Sequence, residues 1–409
     1  MTRALFWVAT FSVVYGYLLF PALVILRGIV RPRPYRAGDV TAPVSILVAA
    51  YNEASGIALK AENLLALDYP RDQLEIIVAS DGSTDDTVEI LRRYESDRFR
   101  VLALSRVGKN EALNAAVAAS SGEILVFTDA NSMFSPEAVK ELVRPFADAT
   151  VGAAAGNQVY LAGSTPYGAA KGERRYWDFD RMMKQALSRA GSVTSSTGAI
   201  YAIRRTLFRP MPAGVNDDFI NSLRVVADGY RHVFAEEARA YEPMAASRQV
   251  EFGRKVRIMT RGLRCAVSIP ELLMPWRHGF FALQLFSHKI LMRLMAFPLL
   301  IIALTSVGLW RRGWIYRLAT LAQVGFYASG AAGLLLARTR LGLSTVLAIP
   351  AYFCLVNAAS LVAAWRVVRG DRVTRWEPER AAASTLHAGR AEDQGPVVGR
   401  KLHEVDRCP

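Results

Sequence analysis

The sequence predicts an α/β domain built on a mostly parallel sheet with helices on both faces, attached to transmembrane helices. Two observations carry this prediction. Between Pro43 and Asn131, short apolar runs alternate with helix-like segments, and long apolar segments lie near both ends of the 409-residue chain. Repeated strand–helix units favour parallel strands, because parallel neighbours need a crossover between them.

Composition narrows the possible partners. The net charge is +14 and 52% of the residues are hydrophobic. The arginines cluster beside the apolar segments, a pattern that fits anionic lipid head groups better than nucleic acid. We therefore expect membrane lipids, and no nucleic acid, among the partners. Three widely spaced cysteines form no metal-binding pair and are interpreted as unpaired thiols, namely Cys265, Cys354 and Cys408.

The amino-terminal segment is predicted to cross a membrane. Residues 5–26 carry no charge, and a crossing needs about 20 residues. A cleaved signal peptide is the alternative, but the apolar region is too long and no small-x-small site follows it. Four arginines come next, which predicts that this end of the span faces the cytoplasm: Arg27, Arg31, Arg33 and Arg36.

Strands are predicted at 44–50, 75–80, 100–104 and 124–128, with helices at 54–67, 85–94 and 108–120. Each polar cluster of this region follows a strand. Open α/β sheets bind ligands at the carboxyl ends of their strands. The sequence therefore places a candidate site at one edge of the sheet.

The first two clusters fit a nucleotide. Tyr51, Asn52 and Glu53 follow the first strand and Asp81 follows the second. A carboxylate at that position can accept a hydrogen bond from a nucleobase or a ribose hydroxyl. Neither GxGxxG nor GxxxxGK[ST] occurs, which argues against a dinucleotide cofactor and a P-loop. The plainer interpretation of Asp81-Gly82 is a turn that leads into a helix cap.

The fourth strand ends in Asp129-Ala130-Asn131. In an extended chain the two polar side chains point the same way. Two such oxygens can hold a hard divalent cation, Mg²⁺ or Mn²⁺, together with a diphosphate. The alternative is a polar strand end that enters a capped turn.

These residues together resemble family 2 glycosyltransferases, which have the nucleotide-sugar-binding GT-A fold. The matching segments are YNE at 51–53, SDGSTDDT at 80–87, GKNEALN at 108–114 and TDAN at 128–131. The resemblance continues through STGAIYAIRR at 196–205 and NDDFINSLRVVADGYR at 216–231. In the membrane-embedded branch, which includes cellulose, hyaluronan and poly-N-acetylglucosamine synthases, such segments form the acceptor loop and the catalytic acidic pair.

The resemblance implies roles for single residues. Asp81 would bind uracil or its ribose, Asp129 and Asn131 would hold the cation and the diphosphate, and Thr197 and Gly198 would contact substrate. Asn131 stands where the family usually has a second aspartate. A neutral amide should bind a cation more weakly. A further residue, Lys109, can reach a phosphate, although an exposed lysine after a glycine is as often solvated.

Asp218 is the predicted catalytic base, with Asp217 beside it. Inverting transfer needs a carboxylate that takes the proton of the acceptor hydroxyl. A divalent ion meanwhile neutralises the departing nucleoside diphosphate. Phe219, Leu223 and Val226 follow at helical spacing, so the acidic pair opens an amphipathic helix. The alternative is that these aspartates only cap that helix.

One departure concerns a segment of the synthases, Gln-x-x-Arg-Trp, that holds the diphosphate and the terminal sugar of the acceptor. Here the region reads Arg254-Lys255-Val256-Arg257-Ile258. Arg257 matches the phosphate-binding arginine. Ile258 replaces the tryptophan that would stack on a sugar, which puts processive polymerisation in doubt. A surface that faces lipid head groups is the alternative for the basic helix.

The carboxyl third returns to lipid. Residues 269–276 and 280–286 are too short to span and are predicted to be interfacial, and spans are predicted at 291–310, 318–337 and 341–365. Three crossings from a cytoplasmic domain put the tail outside. Four arginines would prefer the inside, and that conflict stands: Arg366, Arg369, Arg372 and Arg375.

The predicted organisation is an anchor (1–36), a cytoplasmic catalytic domain (37–245), basic and interfacial helices (246–289), transmembrane helices (290–366) and a polar, disordered tail (367–409). The predicted function is an inverting glycosyltransferase of the inner or plasma membrane that uses a UDP-sugar and a membrane-associated or growing polysaccharide acceptor. Transfer of one sugar to a lipid carrier is the alternative. A non-catalytic nucleotide-binding membrane protein is the alternative of another class.

Overall fold

The computed structural model describes residues 1–161, 169–243, 248–336, 339, 341–342 and 344–370. Its centre is an eight-stranded sheet with the strand order β3-β2-β1-β4-β7-β6-β8-β5. The strands are β1 Val44–Ala50, β2 Leu74–Asp81, β3 Phe99–Leu104, β4 Ile124–Asp129, β5 Met133–Phe134, β6 Val151–Leu161, β7 Tyr201–Arg204 and β8 Arg231–Pro243.

Four neighbouring strands, β3, β2, β1 and β4, are all parallel, as predicted. All seven residues of β1 are buried, because helices cover both faces of this half of the sheet. Ile46 and Val48 face one apolar cluster, while Leu47 and Phe127 face the other. The continuous apolar runs in the sequence follow from this burial on both sides.

The other half of the sheet is mixed and was not assigned from the sequence. β7 pairs antiparallel with both β4 and β6, β8 pairs parallel with β6, and β5 closes the edge antiparallel to β8. Four of the seven pairings are parallel, which confirms a mostly parallel sheet. The mixed half extends the sheet past β4 and forms the far side of the candidate site.

Thirteen helices are named among the described residues. They are α1 Thr2–Val30, α2 Ile57–Leu65, α3 Thr87–Arg92, α4 Lys109–Ala118, α5 Ala138–Val143, α6 Ala169–Ala190, α7 Asp217–Ala227, α8 Arg248–Ser268, α9 Pro275–His278, α10 Phe280–Leu294, α11 Ala296–Gly308, α12 Trp314–Leu335 and α13 Thr345–Val368. The predicted helices at 54–67, 85–94 and 108–120 are therefore present, each shorter than predicted.

Three of these helices are long and apolar enough to cross a membrane: α1, α12 and α13. A fourth candidate is the pair α10 and α11, which meet at a bend of 54°. The predicted interfacial segment 280–286 thus continues to Leu294 and joins the predicted span that follows it. Residues 371–409, most of the predicted disordered tail, lie outside the described residues.

The carboxyl end of the first helix packs against α6 and the sheet. Phe20 and Val24 form an apolar cluster with Met183 and Leu187 of α6. Past the end of α1, the backbone N–H of Arg33 donates a hydrogen bond to the carbonyl oxygen of Arg189 at 2.8 Å. The domain therefore sits directly against the carboxyl end of the first candidate span.

Candidate active site

A cleft of about 400 Å³ opens at the carboxyl ends of β1 and β4, within the usual size range of ligand pockets. We call its acidic wall the floor and its basic wall the roof. The floor consists of Glu53, Asp129, Asp217, Asp218 and Glu242. The roof consists of Arg254, Arg257 and Arg261 from α8 and of Lys289 and Arg293 from α10.

Lys109 joins two parts of the floor. Its ammonium lies 2.7 Å from Asp129 Oδ1 and 3.0 Å from Asp217 Oδ1. Burial opposes the charged form, but these two carboxylates raise the pKa of Lys109 above its ordinary value. The lysine is therefore a buried, fully charged group in the cleft and not a solvated side chain. Gly108, at φ 100°, provides the backbone turn that starts α4 there.

Asp217 and Asp218 open α7 but have different surroundings. Asp217 is also held by the Tyr201 hydroxyl, which donates to its Oδ2 at 3.2 Å. Burial, followed by the negative charge of Asp217, raises the pKa of Asp218 to about 7. A carboxyl group with that pKa is suited to accept a proton near neutral pH. Asp217 thus has side-chain contacts with Tyr201 and Lys109 that the sequence did not reveal. Asp218 remains the candidate base.

Asp129 and Asn131 both line the cleft, as predicted, but the chain between them is not extended. β4 ends at Asp129, and Ala130 and Asn131 form a turn. Gly198 lies so close that a Cβ there would be 2.7 Å from Asp129 Oδ2. Among the described residues, no group of three or more His, Cys, Asp or Glu side chains could hold a metal. A carboxylate and an amide fit a divalent cation only when a diphosphate supplies further oxygens.

Asp81 does not line this cleft. Its side chain is fully buried and accepts hydrogen bonds from the backbone N–H groups of Val107 and Gly108, at 2.6 and 2.8 Å. Arg106 Nη1 lies 2.6 Å from Asp81 Oδ2. The same guanidinium stacks on Tyr51, 3.3 Å from the ring centroid. Direct contact between Asp81 and a nucleobase stays a prediction, and it requires movement of Arg106.

The remaining predicted residues divide into two groups. Asn52 adopts a positive φ of 53°, and its side-chain oxygen accepts from the backbone N–H of Thr84 at 2.6 Å, so it braces a loop. Glu53, Thr197, Gly198 and Arg257 line the cleft. The structure therefore brings together most of the predicted site residues, with Tyr51, Asn52 and Asp81 at its margin.

Sequence reasoning missed Glu242, a buried carboxylate at the end of β8. Gln158 Nε2 donates to it at 2.5 Å, and the Ser132 hydroxyl donates to its other oxygen. Burial, followed by the charge of Asp129, raises the pKa of Glu242. Gln158 also accepts a hydrogen bond from the Thr197 hydroxyl at 2.5 Å. This chain of contacts fixes the position of Glu242 in the floor, and no sequence motif marks it.

Lys60 was also missed. It is 1% exposed and donates to the Thr128 hydroxyl at 3.0 Å and to the Ser132 carbonyl oxygen. Burial lowers the pKa of Lys60 to about 7, against the opposing charges of Asp129 and Glu242. Its place on the apolar face of α2, three residues after Ile57, is the sequence feature that could have revealed it.

The roof includes two cations from α10, which belongs to a candidate membrane span. Ile258, which replaces the tryptophan of the synthases, is 38% exposed and lines the cleft beside Arg257. Of the described residues that line the cleft, the aromatic ones are Tyr160 and Phe219, and Phe219 is 1% exposed. Tyr160 is therefore the aromatic ring best placed to contact a sugar from the cleft wall.

Known proteins resemble this chain in sequence. Residues 45–210 match the family model Glycosyl transferase family 2. A β-monoglucosyldiacylglycerol synthase of Nostoc sp. is 33% identical over 183 residues, which cover 43% of this chain and 39% of that protein. A poly-β-1,6-N-acetyl-D-glucosamine synthase of Staphylococcus epidermidis is 27% identical over 206 residues, which cover 49% of this chain and 48% of that protein. The chain thus spans half or less of the length of these relatives.

A solved structure resembles the whole fold. A mannosyltransferase of Pyrobaculum calidifontis, in complex with GDP-Man and Mn²⁺, superposes with a TM-score of 0.68 at 23% identity, covering 91% of this chain and 100% of that one. This likeness confirms the predicted GT-A-type architecture. The matched residues 45–210 contain Asp129, Asn131 and Lys109 of the cleft. Residues 45–210 of this chain are therefore similar to a glycosyl transferase family 2 domain.

Proposed function

We propose that this protein is a membrane-bound, inverting glycosyltransferase. It takes a sugar from a nucleotide-diphospho-sugar and attaches it to a hydroxyl group of a membrane-associated acceptor. The observation that carries the proposal is the position of Asp218, a carboxyl group with a raised pKa, in the same cleft as Asp129, Asn131 and Arg257. One cavity thus contains the proposed base, the two side chains that would hold the cation and the diphosphate, and the arginine that would bind a phosphate.

The geometry supports a single displacement. The acceptor oxygen attacks the anomeric carbon while Asp218 takes its proton, and the bond from that carbon to the diphosphate oxygen breaks. The diphosphate leaves with the electron pair, beside Lys109 and Arg257, which donate hydrogen bonds to it. A divalent cation held by Asp129 and Asn131, either Mg²⁺ or Mn²⁺, supplies charge neutralisation when bound.

Supporting roles fall to the other cleft residues. Asp217 holds Lys109 in place, and Glu53, Thr197 and Gly198 line the space left for the donor sugar and acceptor. Tyr51 and Asp81 would meet the nucleobase after Arg106 moves from its stacked position. A UDP-sugar is the proposed donor on the strength of the family resemblance, and a GDP-sugar is the first competitor to include in the assay.

Two alternative acceptor reactions are proposed. Extension of a polysaccharide is the first, as in the synthase relatives. Transfer of one sugar to a lipid is the second, and the partly exposed Ile258 favours it because the roof lacks an aromatic ring at that position. The proposed location is the inner or plasma membrane, with several crossings and the catalytic domain in the cytoplasm.

Membrane vesicles that contain the full chain would be incubated with radiolabelled UDP- and GDP-sugars and Mg²⁺ or Mn²⁺. A long product supports polymerisation, and a single-sugar lipid supports the second reaction. Loss of either product in Asp218→Asn, with retention in Asp228→Asn at the other end of α7, supports the catalytic assignment. Turnover that survives Asp218→Asn removes that residue from the role, and no product with any donor favours the non-catalytic alternative.

A further inference from the structure

We infer that α13, although long and apolar enough to cross a membrane, lies along the membrane-facing side of the catalytic domain. The chain then crosses the bilayer three times, and its arginine-rich carboxyl end lies on the same side as that domain. The inference depends on where each helix touches α1, because α1 runs from the domain to the far side of the membrane.

The two ends of α1 have different neighbours. Near the carboxyl end, Phe20 and Val24 pack on the catalytic domain. Near the amino end, Phe6 packs on Leu309 and on Tyr316, with the Phe6 and Tyr316 ring centroids 4.9 Å apart. Phe6 therefore marks the far side of the membrane and Phe20 marks the domain side.

The bent pair α10 and α11 runs the length of α1 in the opposite direction. Arg27 lies 4.4 Å from the ring centroid of Phe280, at the domain end. The hydroxyls of Tyr15 and Ser287 lie 2.8 Å apart, and Leu309 reaches Phe6. The pair is thus one broken crossing that begins at the domain and ends on the far side. A loop that returned to its own side would not reach Phe6.

The next helix, α12, brings the chain back. It begins beside Phe6 on the far side, through Tyr316. Twelve residues after Trp314, Phe326 lies 5.2 Å from Phe353, whose ring in turn lies 6.0 Å from Tyr17. At about 1.5 Å per residue, α12 has by then covered roughly 18 Å, and its last nine residues continue toward the domain.

α13 then stays at the domain. The ammonium of Lys255 on α8 lies 5.9 Å from the ring centroid of Tyr352. Eight residues later, the Ser360 hydroxyl donates to the carbonyl oxygen of Arg293. Arg293 packs against Gly262 of α8, and its guanidinium lies 5.2 Å from the ring of Phe219 in the domain core.

Residues 352 and 360 of α13 thus follow residues 255 and 262 of α8 in the same direction. A crossing helix would behave differently. From Thr345 to Ser360 it would rise about 22 Å, which would carry Ser360 toward the far side, near Leu309. Ser360 instead contacts Arg293, which precedes the break between α10 and α11.

The residues on each face of α13 agree with this placement. In the second half of α13 the buried residues are small, namely Ala359, Ser360 and Ala363, and small residues permit close approach of neighbouring helices. Val346, Trp365 and Val368 are exposed and would face the acyl chains and head groups. Arg366 and Arg369 at its end then face the same leaflet as the domain, and the charge conflict raised by the sequence disappears.

Cysteine labelling tests this topology. Sealed vesicles of one orientation would be treated with a membrane-impermeant maleimide, with the native Cys408 and the variants Thr339→Cys and Arg369→Cys as reporters. Asp97→Cys marks the domain side, and Arg312→Cys, between α11 and α12, marks the far side. Cys408→Ser measures the background from Cys265 and Cys354, and detergent-solubilised protein confirms that each reporter can react.

The expected result is that Cys408, Thr339→Cys and Arg369→Cys are labelled only from the face that labels Asp97→Cys. Labelling of Arg369→Cys and Cys408 from the face that labels Arg312→Cys would overturn the inference, because α13 would then cross. Labelling from both faces, in vesicles where the two markers remain distinct, would overturn it as well.

Discussion

The floor and the roof of the cleft carry opposite charge and come from different parts of the chain. The floor is built on the carboxyl ends of strands and on the first turn of α7, where Asp129 and Asp217 form ion pairs with Lys109. The roof comes from two helices that follow the sheet in the chain, α8 and α10, and α10 belongs to a candidate membrane span. The floor is therefore suited to chemistry at the anomeric carbon, and the roof to holding a polyanionic substrate.

Substitutions in the two walls should therefore change different kinetic constants. A change in the floor should reduce kcat, because proton transfer takes place there. A change in the roof should raise KM, because its cations contribute binding that is similar in the ground state and the transition state.

Among the floor residues, substitution of Asp218 should reduce kcat the most. Replacing Asp218 by Asn removes the proton acceptor, so kcat should fall by about 10²–10⁴-fold with little change in the KM of the donor. Initial rates against donor concentration would measure both constants. A variant with normal kcat and a raised KM would place Asp218 among the binding residues and break the separation of the two walls.

Among the roof residues, substitution of Arg257 should raise the KM of the donor the most. Arg257→Lys keeps the charge but loses the two-point hydrogen bond to a phosphate. Charged hydrogen bonds contribute about 1.5–3 kcal/mol, so the KM of the donor should rise roughly 10- to 100-fold at nearly constant kcat. Arg264→Lys, on the same helix but away from the cleft lining, is the matched control. A fall in kcat alone would contradict the assignment.

The pH dependence should separate the two aspartates of α7. Because the pKa of Asp218 is about 7 in the protein without substrate, kcat/KM for the donor should rise with pH through that value as the carboxylate forms. In Asp217→Asn the neighbouring negative charge is gone, so the pKa of Asp218 should fall and the rise should move to lower pH. A rise that moves to higher pH would show that another group governs the profile.

The smallest predicted effect concerns stability at Lys60. Its pKa in the folded protein is about 7, below the usual value for lysine, so the unfolded chain binds more protons between those two pH values. The contribution of this residue to stability should therefore grow as pH rises from about 7 to about 10.4. Melting temperatures across this window should depend less on pH in Lys60→Met than in the unaltered chain. Equal slopes would contradict the buried, weakly basic state.

Much of the floor could be predicted from the sequence because each parallel strand is followed at once by its polar cluster. Asp129, Asn131 and Glu53 are examples: their place is set by local chain order. The roof and the far side of the cleft depend on long-range packing. Glu242 reaches the cleft only because β8 pairs with β6, and no local pattern shows that pairing.

One prediction from local pattern needed correction, and a second stays untested. The extended chain expected across Asp129 and Asn131 is a turn. Asp81, expected to face a ligand, is enclosed by Arg106 and the backbone of residues 107 and 108. Neither feature is visible in the local sequence pattern. Asp81 is covered by a loop that lies about 25 residues further along the chain, and direct contact between Asp81 and a nucleobase stays a prediction.

The anomeric configuration of the product, determined by NMR after transfer from an α-linked nucleotide sugar, shows whether the reaction inverts. A single displacement assisted by Asp218 predicts a β-linked product. An α-linked product would contradict it, because retention of configuration requires a different course of reaction in which one base on the floor does not suffice.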